Sequence, residues 1–190
     1  RYGGPEYETI AALGSNLNIF DLKAIAKGNE ICNRYCMDTI SAGMVIAFAC
    51  ECFEKGVITA ADTGGLELRF GDPLLMLKLL EMTARREGFG DLLAEGTARL
   101  ADRWGVAGAD FCLCVKGQEL PMHDPRIKVG VGLSYALCTA GANHMNVPHD
   151  PAFVDPGSFA FQSVNALGIH RPMPATQLTT QRPAAHTVPE

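Results

Sequence analysis

Apolar positions recur every three or four residues through most of this chain, and short polar or glycine-bearing stretches interrupt them. Leu22, Ile25, Ala26, Asn29 and Cys32 follow helical spacing behind Asp21, an N-cap residue, so a helix is predicted to about Tyr35. A second is predicted from about Ser41 to Lys55, stopping at Gly56. Asp72-Pro73 places a cap beside a first-turn proline, opening a helix over Leu74 to Glu87 that Gly88 ends. A fourth helix is predicted from Asp91 to Trp104, terminated by Gly105. Phe111 to Val115 alternates as a short strand, and Val129 to Ala140 reads as a helix despite Gly130 and Gly132.

The pattern therefore predicts a mainly α protein with few short strands. The small-residue stretch from Gly105 to Asp110 is the expected boundary between a helical unit over 1–108 and a second over 109–170. Residues 171–190 are rich in Pro, Thr, Gln and Ala without an apolar period, and are expected to be poorly ordered. The chain opens on Arg1 with no targeting segment and reads as a piece of a longer protein.

Composition narrows the class. The 190 residues are 47% hydrophobic, with a mean hydropathy of +0.07, enough to bury a substantial core. A formal charge of −5 with no dense Lys/Arg run gives no electrostatic footprint for nucleic acid or an anionic membrane. The longest apolar stretch, Ile40 to Cys50, holds only about one third to one half of the ~20 residues needed to cross a bilayer. A small molecule or a protein is the expected partner.

Seven cysteines, an odd number without a secretory signal, predict free thiols in a reducing cytoplasm. Their spacings are C-x3-C and two C-x-C pairs, so no C-x2-C pair marks a metal site, and they are read as core thiols. Dinucleotide, phosphate-loop, nucleophile-elbow and zinc-protease motifs are all missing. These patterns yield a helical, anionic domain and name no reaction.

A series of local blocks does. Gly4-Pro5-Glu6-Tyr7-Glu8-Thr9 with Leu13-Gly14-Ser15-Asn16 comes first, then Asp38-Thr39-Ile40-Ser41. Asp62-Thr63-Gly64-Gly65-Leu66-Glu67-Leu68 with Phe70-Gly71-Asp72 follows, then Arg86-Glu87-Gly88-Phe89-Gly90-Asp91-Leu92-Leu93-Ala94-Glu95-Gly96. Lys116-Gly117 with Glu119-Leu120-Pro121, and Asp124-Pro125-Arg126, complete the series. In this order, over residues 3 to 150, they resemble the tungsten-containing aldehyde ferredoxin oxidoreductases.

The resemblance implies a three-domain enzyme. An amino-terminal domain forms the base under a tungsten bis-pterin centre and two mainly helical domains close over it. This chain is similar to most of the middle domain and the start of the last. Aldehydes would be oxidised to carboxylates, with electrons leaving through a [4Fe-4S] cluster to ferredoxin. The family's cluster cysteines lie outside the stretch this chain resembles, so the seven present are not assigned to the cluster and no residue here is a predicted metal ligand.

Two residues map onto positions that the family places beside tungsten. Glu8 is the expected proton-transfer acid and His144, in Gly141-Ala142-Asn143-His144, the expected hydrogen-bond donor to developing charge. Glu6 is the substitute for Glu8. Without the resemblance, Glu8 reads as a charge near a helix start and His144 as a satisfied buried histidine.

The family's pterin motif, Asp-x-x-Gly-Leu-Asp/Cys, has its counterpart in Asn33-Arg34-Tyr35-Cys36-Met37-Asp38. Asn33 and Asp38 are thus the expected cofactor-binding residues, and the alternative is that both merely lie at a helix end. Cys36 stands where the family has glycine, a change that introduces strain if φ is positive there. His123 and His149, each followed by an aspartate, are read as loop hydrogen-bonding pairs rather than metal ligands.

Two other readings stay open: a subunit resembling the catalytic one of tungsten-dependent benzoyl-coenzyme A reductases, and a catalytically inert helical interaction domain. The residues select neither the aldehyde, nor tungsten over molybdenum, nor an oligomeric state, a homo-oligomer included.

Overall fold

The structure, a computed structural model, describes residues 3–168, so the expectation for 171–190 lies outside the described residues. The fold is mainly α, as the apolar pattern predicts. In chain order it contains α1 (Tyr7–Leu13), α2 (Leu22–Tyr35), α3 (Thr39–Glu54), α4 (Pro73–Arg85), α5 (Phe89–Leu93) and α6 (Thr97–Arg103). A two-residue antiparallel hairpin follows, β1 (Cys114–Val115) with β2 (Gln118–Glu119), then α7 (Val129–Leu137) and α8 (Phe159–Asn165). Among the described residues no helix is long and apolar enough to cross a membrane.

Aspartates start the longer helices by satisfying amide groups that a helix leaves without partners. Asp21 accepts from the amides of Lys23 and Ala24, and Asp72 from those of Leu74 and Leu75. Asp38 accepts from Ser41 N at 2.7 Å, which starts α3 two residues earlier than expected.

The predicted helix over 91–104 is two helices. Gly96 breaks it with φ +83°, and the buried Glu119 caps the second piece, accepting from Thr97 N at 2.8 Å. That carboxylate comes from 22 residues downstream, so no local pattern announces the break. The helix α4 ends at Arg85 because Arg86 enters the left-handed region, two residues ahead of the expected stop at Gly88. Lys116 and Gly117, both at positive φ, form the two-residue hairpin turn.

The described residues form two compact units. One runs to Met122 and takes in Ala140–Ala142; the other comprises His123–Thr139 and the residues from Asn143 onward. The stretch 105–110 lies inside the first unit. Phe48 of α3 stacks on Trp104 and on Phe111, with centroids 5.7 and 5.9 Å apart, so both flanks of that stretch pack on one core.

Within the first unit α3 is the core helix, with Met44, Val45, Ile46, Phe48, Ala49, Cys50 and Cys52 buried around its circumference. Its Gly43 admits α1 at backbone contact: a Cβ there would lie 2.5 Å from the carbonyl oxygen of Ala12. In the second unit the carboxylate of the buried Asp150 accepts from Gly130 N (2.8 Å) and Val131 N (3.1 Å), satisfying the start of α7.

Cys36 is exposed at φ 55°, ψ 37°, one residue beyond α2. A non-glycine residue in this region carries ~1 kcal/mol of strain or more, so Cys36→Gly should raise stability by about 1 kcal/mol in urea denaturation. An unchanged or lowered midpoint would show that the backbone is not strained there.

Candidate functional site

The first unit holds three of the four residues that the sequence singles out. Glu8 sits in the first turn of α1 and is 3% exposed. Its Oε2 accepts from Met122 N at 2.9 Å, while the hydroxyl of neighbouring Tyr7 donates to Met122 O at 2.8 Å. Two consecutive side chains thus hold both main-chain groups of one residue 114 positions away. Glu6, the substitute, is exposed at the N-cap of α1 and makes no capping bond.

Beside Glu8, Thr9 Oγ1 lies 2.9 Å from Thr39 Oγ1, and Thr39 directly follows Asp38. This bond joins the start of α1 to the start of α3 next to both candidate residues. Asp38 lines a cleft of about 690 Å³ with Met37, Arg86, Arg99, Lys116 and Glu119. Arg86 pairs with Asp91 at 2.8 Å and Glu95 at 3.0 Å, and Arg99 with Glu95 at 3.1 Å. Hydrogen bonds from Arg86, and then its charge, hold the Glu95 carboxyl below the usual carboxylate range.

Asn33 is elsewhere. Its Nδ2 donates to the carbonyl oxygen of Asn29 (2.9 Å) and to Asn29 Oδ1 (3.0 Å) along its own helix, and it is not among the cleft-lining residues. The helix-end reading accounts for the cap that Asp38 makes on α3, and Asp38 also faces the cleft.

His144 belongs to the second unit, in a cluster of three imidazoles. Its ring centroid is 4.9 Å from that of His123 and 6.0 Å from that of His149, while His123 and His149 are 4.3 Å apart. Lys128 Nζ is 2.8 Å from His123 Nδ1 and 3.3 Å from His149 Nδ1. Neither histidine pairs with the aspartate that follows it, as the loop-pair reading had it. Asp124 binds Arg126 and Asp150 caps α7. Burial first, then the charge of Lys128 and the neighbouring imidazoles, pushes His123 down to about 4.

Sequence reasoning missed Lys128 and the gathering of the histidines. A signal was present: His-Asp-Pro occurs twice, at 123–125 and 149–151. It missed Glu119 also, which has no local signature.

The cysteines divide. Cys32, Cys50 and Cys52 are buried core thiols as expected, whereas Cys36 is exposed and Cys112, Cys114 and Cys138 are half-buried. Burial pushes Cys32 and Cys50 up to about 12, and Cys52 up to about 11.

Residues 1–186 match the family model described as aldehyde ferredoxin oxidoreductase, domains 2 & 3. The chain belongs to the aldehyde ferredoxin oxidoreductase family. It is 46% identical over 145 residues to the tungsten-containing aldehyde ferredoxin oxidoreductase of Pyrococcus abyssi (strain GE5 / Orsay), covering 75% of this chain and 24% of that protein. With the protein of the same name from Pyrococcus furiosus it is 43% identical over 143 residues, covering 75% and 23%. It is also 32% identical over 154 residues to an aliphatic sulfonate oxidoreductase, WOR-like subunit, of Pyrococcus furiosus, covering 78% and 24%. The chain thus spans about a quarter of the length of the curated relatives it matches.

The geometry around His123 predicts its titration. Its pKa of about 4 lies below the ordinary 6.5, so the unfolded chain takes up the proton first. The neutral ring's contribution to stability is fully present above pH ~6.5 and is lost as the pH falls toward ~4. An NMR titration of ring-labelled histidine should show the His123 imidazole still neutral near pH 5; titration of His123 at the ordinary value would contradict this.

Proposed function

We propose that the protein to which this chain belongs is a cytoplasmic enzyme that oxidises aldehydes to carboxylates at a tungsten bis-pterin centre. Its electrons would leave through a [4Fe-4S] cluster to ferredoxin. The observation that carries the reading is the pairing of α1 with α3. A buried carboxylate at Glu8, anchored on Met122 N, and a cleft-facing carboxylate at Asp38 flank one interhelical hydrogen bond.

The residues of the cleft fit the cofactor's chemistry. A pterin ring and its amino group are hydrogen-bond donors, for which Asp38 is an acceptor; its phosphate is an anion, for which Arg86, Arg99 and Lys116 are cations on the cleft wall. A volume of about 690 Å³ is also in the range of small-molecule sites. Asn33 keeps a carbonyl acceptor for the same ligand, but its amide nitrogen is engaged within α2. When bound, the tungsten centre supplies the two-electron oxidation.

The chain's own residues supply proton and charge management. Glu8, held against Met122 N and shielded from water, takes the proton released as an oxygen nucleophile adds to the carbonyl carbon. His144 donates a hydrogen bond to the oxygen on which negative charge develops. Cluster ligands are assigned to the remainder of the parent protein: Cys32, Cys50 and Cys52 are buried core thiols, and the C-x3-C and C-x-C spacings of the chain include no C-x2-C pair.

The 32% identity to an aliphatic sulfonate oxidoreductase subunit favours a second reading, in which the parent is one subunit acting on another substrate class. The 46% identity to a tungsten-containing aldehyde ferredoxin oxidoreductase puts aldehydes first.

The test is aldehyde-dependent ferredoxin reduction by the full-length protein, purified without oxygen. Glu8→Gln and His144→Ala should each lower kcat by ~100-fold or more with metal content unchanged. Near-normal rates would remove those two assignments. A metal-loaded wild type inert toward aldehydes would favour the second reading.

A further inference from the structure

His144 is tied, within the second unit, to two residues that the mechanism above does not use. An ammonium group donates hydrogen bonds and cannot accept them. Lys128 Nζ lies within hydrogen-bond distance of His123 Nδ1 (2.8 Å) and His149 Nδ1 (3.3 Å), so both nitrogens present a lone pair and both neutral rings carry their proton on Nε2. The far side of His149 demands the same tautomer independently. Its Nε2 is 2.9 Å from the main-chain oxygen of His144, and a carbonyl only accepts. The two ends of the ring agree on one directed chain, from Lys128 through His149 to the backbone of His144.

The two segments that carry this chain are also fastened beside it. Lys128 directly precedes α7 and His149 directly precedes Asp150, whose carboxylate binds the amides of Gly130 and Val131. Asp150 thus joins these segments, and the Lys128–His149 bond adds a constraint whose end point is His144.

We propose, on the reading of His144 given above, that Lys128 and His149 are positioning residues: the ammonium holds His149 as the Nε2–H tautomer, and that N–H fixes the main chain of His144 so that its ring meets the substrate oxygen. Without the ammonium, one of the two groups that favour the Nε2–H tautomer is gone, and only the His144 carbonyl opposes the Nδ1–H form. That form turns a bare Nε2 toward the carbonyl, setting two lone pairs against each other, and the 144 loop shifts.

The experiment uses the full-length, cofactor-loaded protein with ring-15N histidine, read by solid-state NMR and by aldehyde turnover. The His149 signal is assigned by its loss in His149→Gln. In the wild type His149 should be the neutral Nε2–H tautomer, and Lys128→Met should populate the Nδ1–H form. Lys128→Met and His149→Leu should lower kcat about 10- to 100-fold with tungsten content and KM unchanged, as expected for lost orienting groups. His149→Gln, whose amide can accept from Lys128 and donate to the carbonyl, should retain most of the rate.

An Nδ1–H His149 in the wild type would overturn the proposal. So would Lys128→Met with unaltered tautomer and rate, or His149→Gln failing as badly as His149→Leu. If Lys128→Met does not fold, the wild-type tautomer and the Gln/Leu contrast decide. The tautomer is read without turnover, so a wild type inert toward aldehydes would sink the functional reading while leaving this one to the spectrum.

Discussion

The contact between α1 and α3 is the constraint on which the candidate site depends. Gly43 lets the two backbones meet, since any side chain at that position would collide with the carbonyl of Ala12. Thr9 and Thr39 then bond across the helix starts, and this fixes the register of the helix starts that carry Glu8 and Asp38. Because α3 is apolar on nearly every face, it cannot rotate to relieve a clash without exposing Val45, Ile46 or Phe48. A buried helix with one small residue at the crossing is a rigid mount, and rigid mounting is what an acid-base group requires.

Charge is handled differently in the two units. In the first, buried carboxylates are spent on the backbone: Glu8 on Met122 N and Glu119 on Thr97 N. Each fastens segments far apart in sequence, an N–H dipole taking the place of water at one carboxylate oxygen. In the second, Asp150 does the same for α7, while one lysine is surrounded by imidazoles rather than by an acid. Neutral histidines accept from an ammonium without neutralising it, so the cluster keeps a positive charge and directional donors at His144's loop.

The helices were legible because their signals are local. Asp21 and Asp72 cap where expected, Pro73 takes the first turn, and the apolar period runs true through α2 and α4. The break at Gly96 was not legible, because its cap is Glu119, reached only through the hairpin turn at Lys116 and Gly117. Likewise Arg86 ends α4 ahead of Gly88, a left-handed arginine that propensity does not anticipate. The ordered blocks that carried the resemblance named the family; Asp38 lines a cleft. The cofactor-binding role expected of Asn33 rests on resemblance to the family's pterin motif; along α2 its amide turns back to Asn29. Lys128 went unnoticed because nothing in a lone lysine reports that the two His-Asp-Pro repeats converge on it.

The most direct test of the central claim is elemental analysis of the full-length protein, produced anaerobically with tungstate supplied. The account predicts about one tungsten and about four irons per chain, the latter for one [4Fe-4S] cluster. Full-length, folded protein carrying neither metal would contradict it.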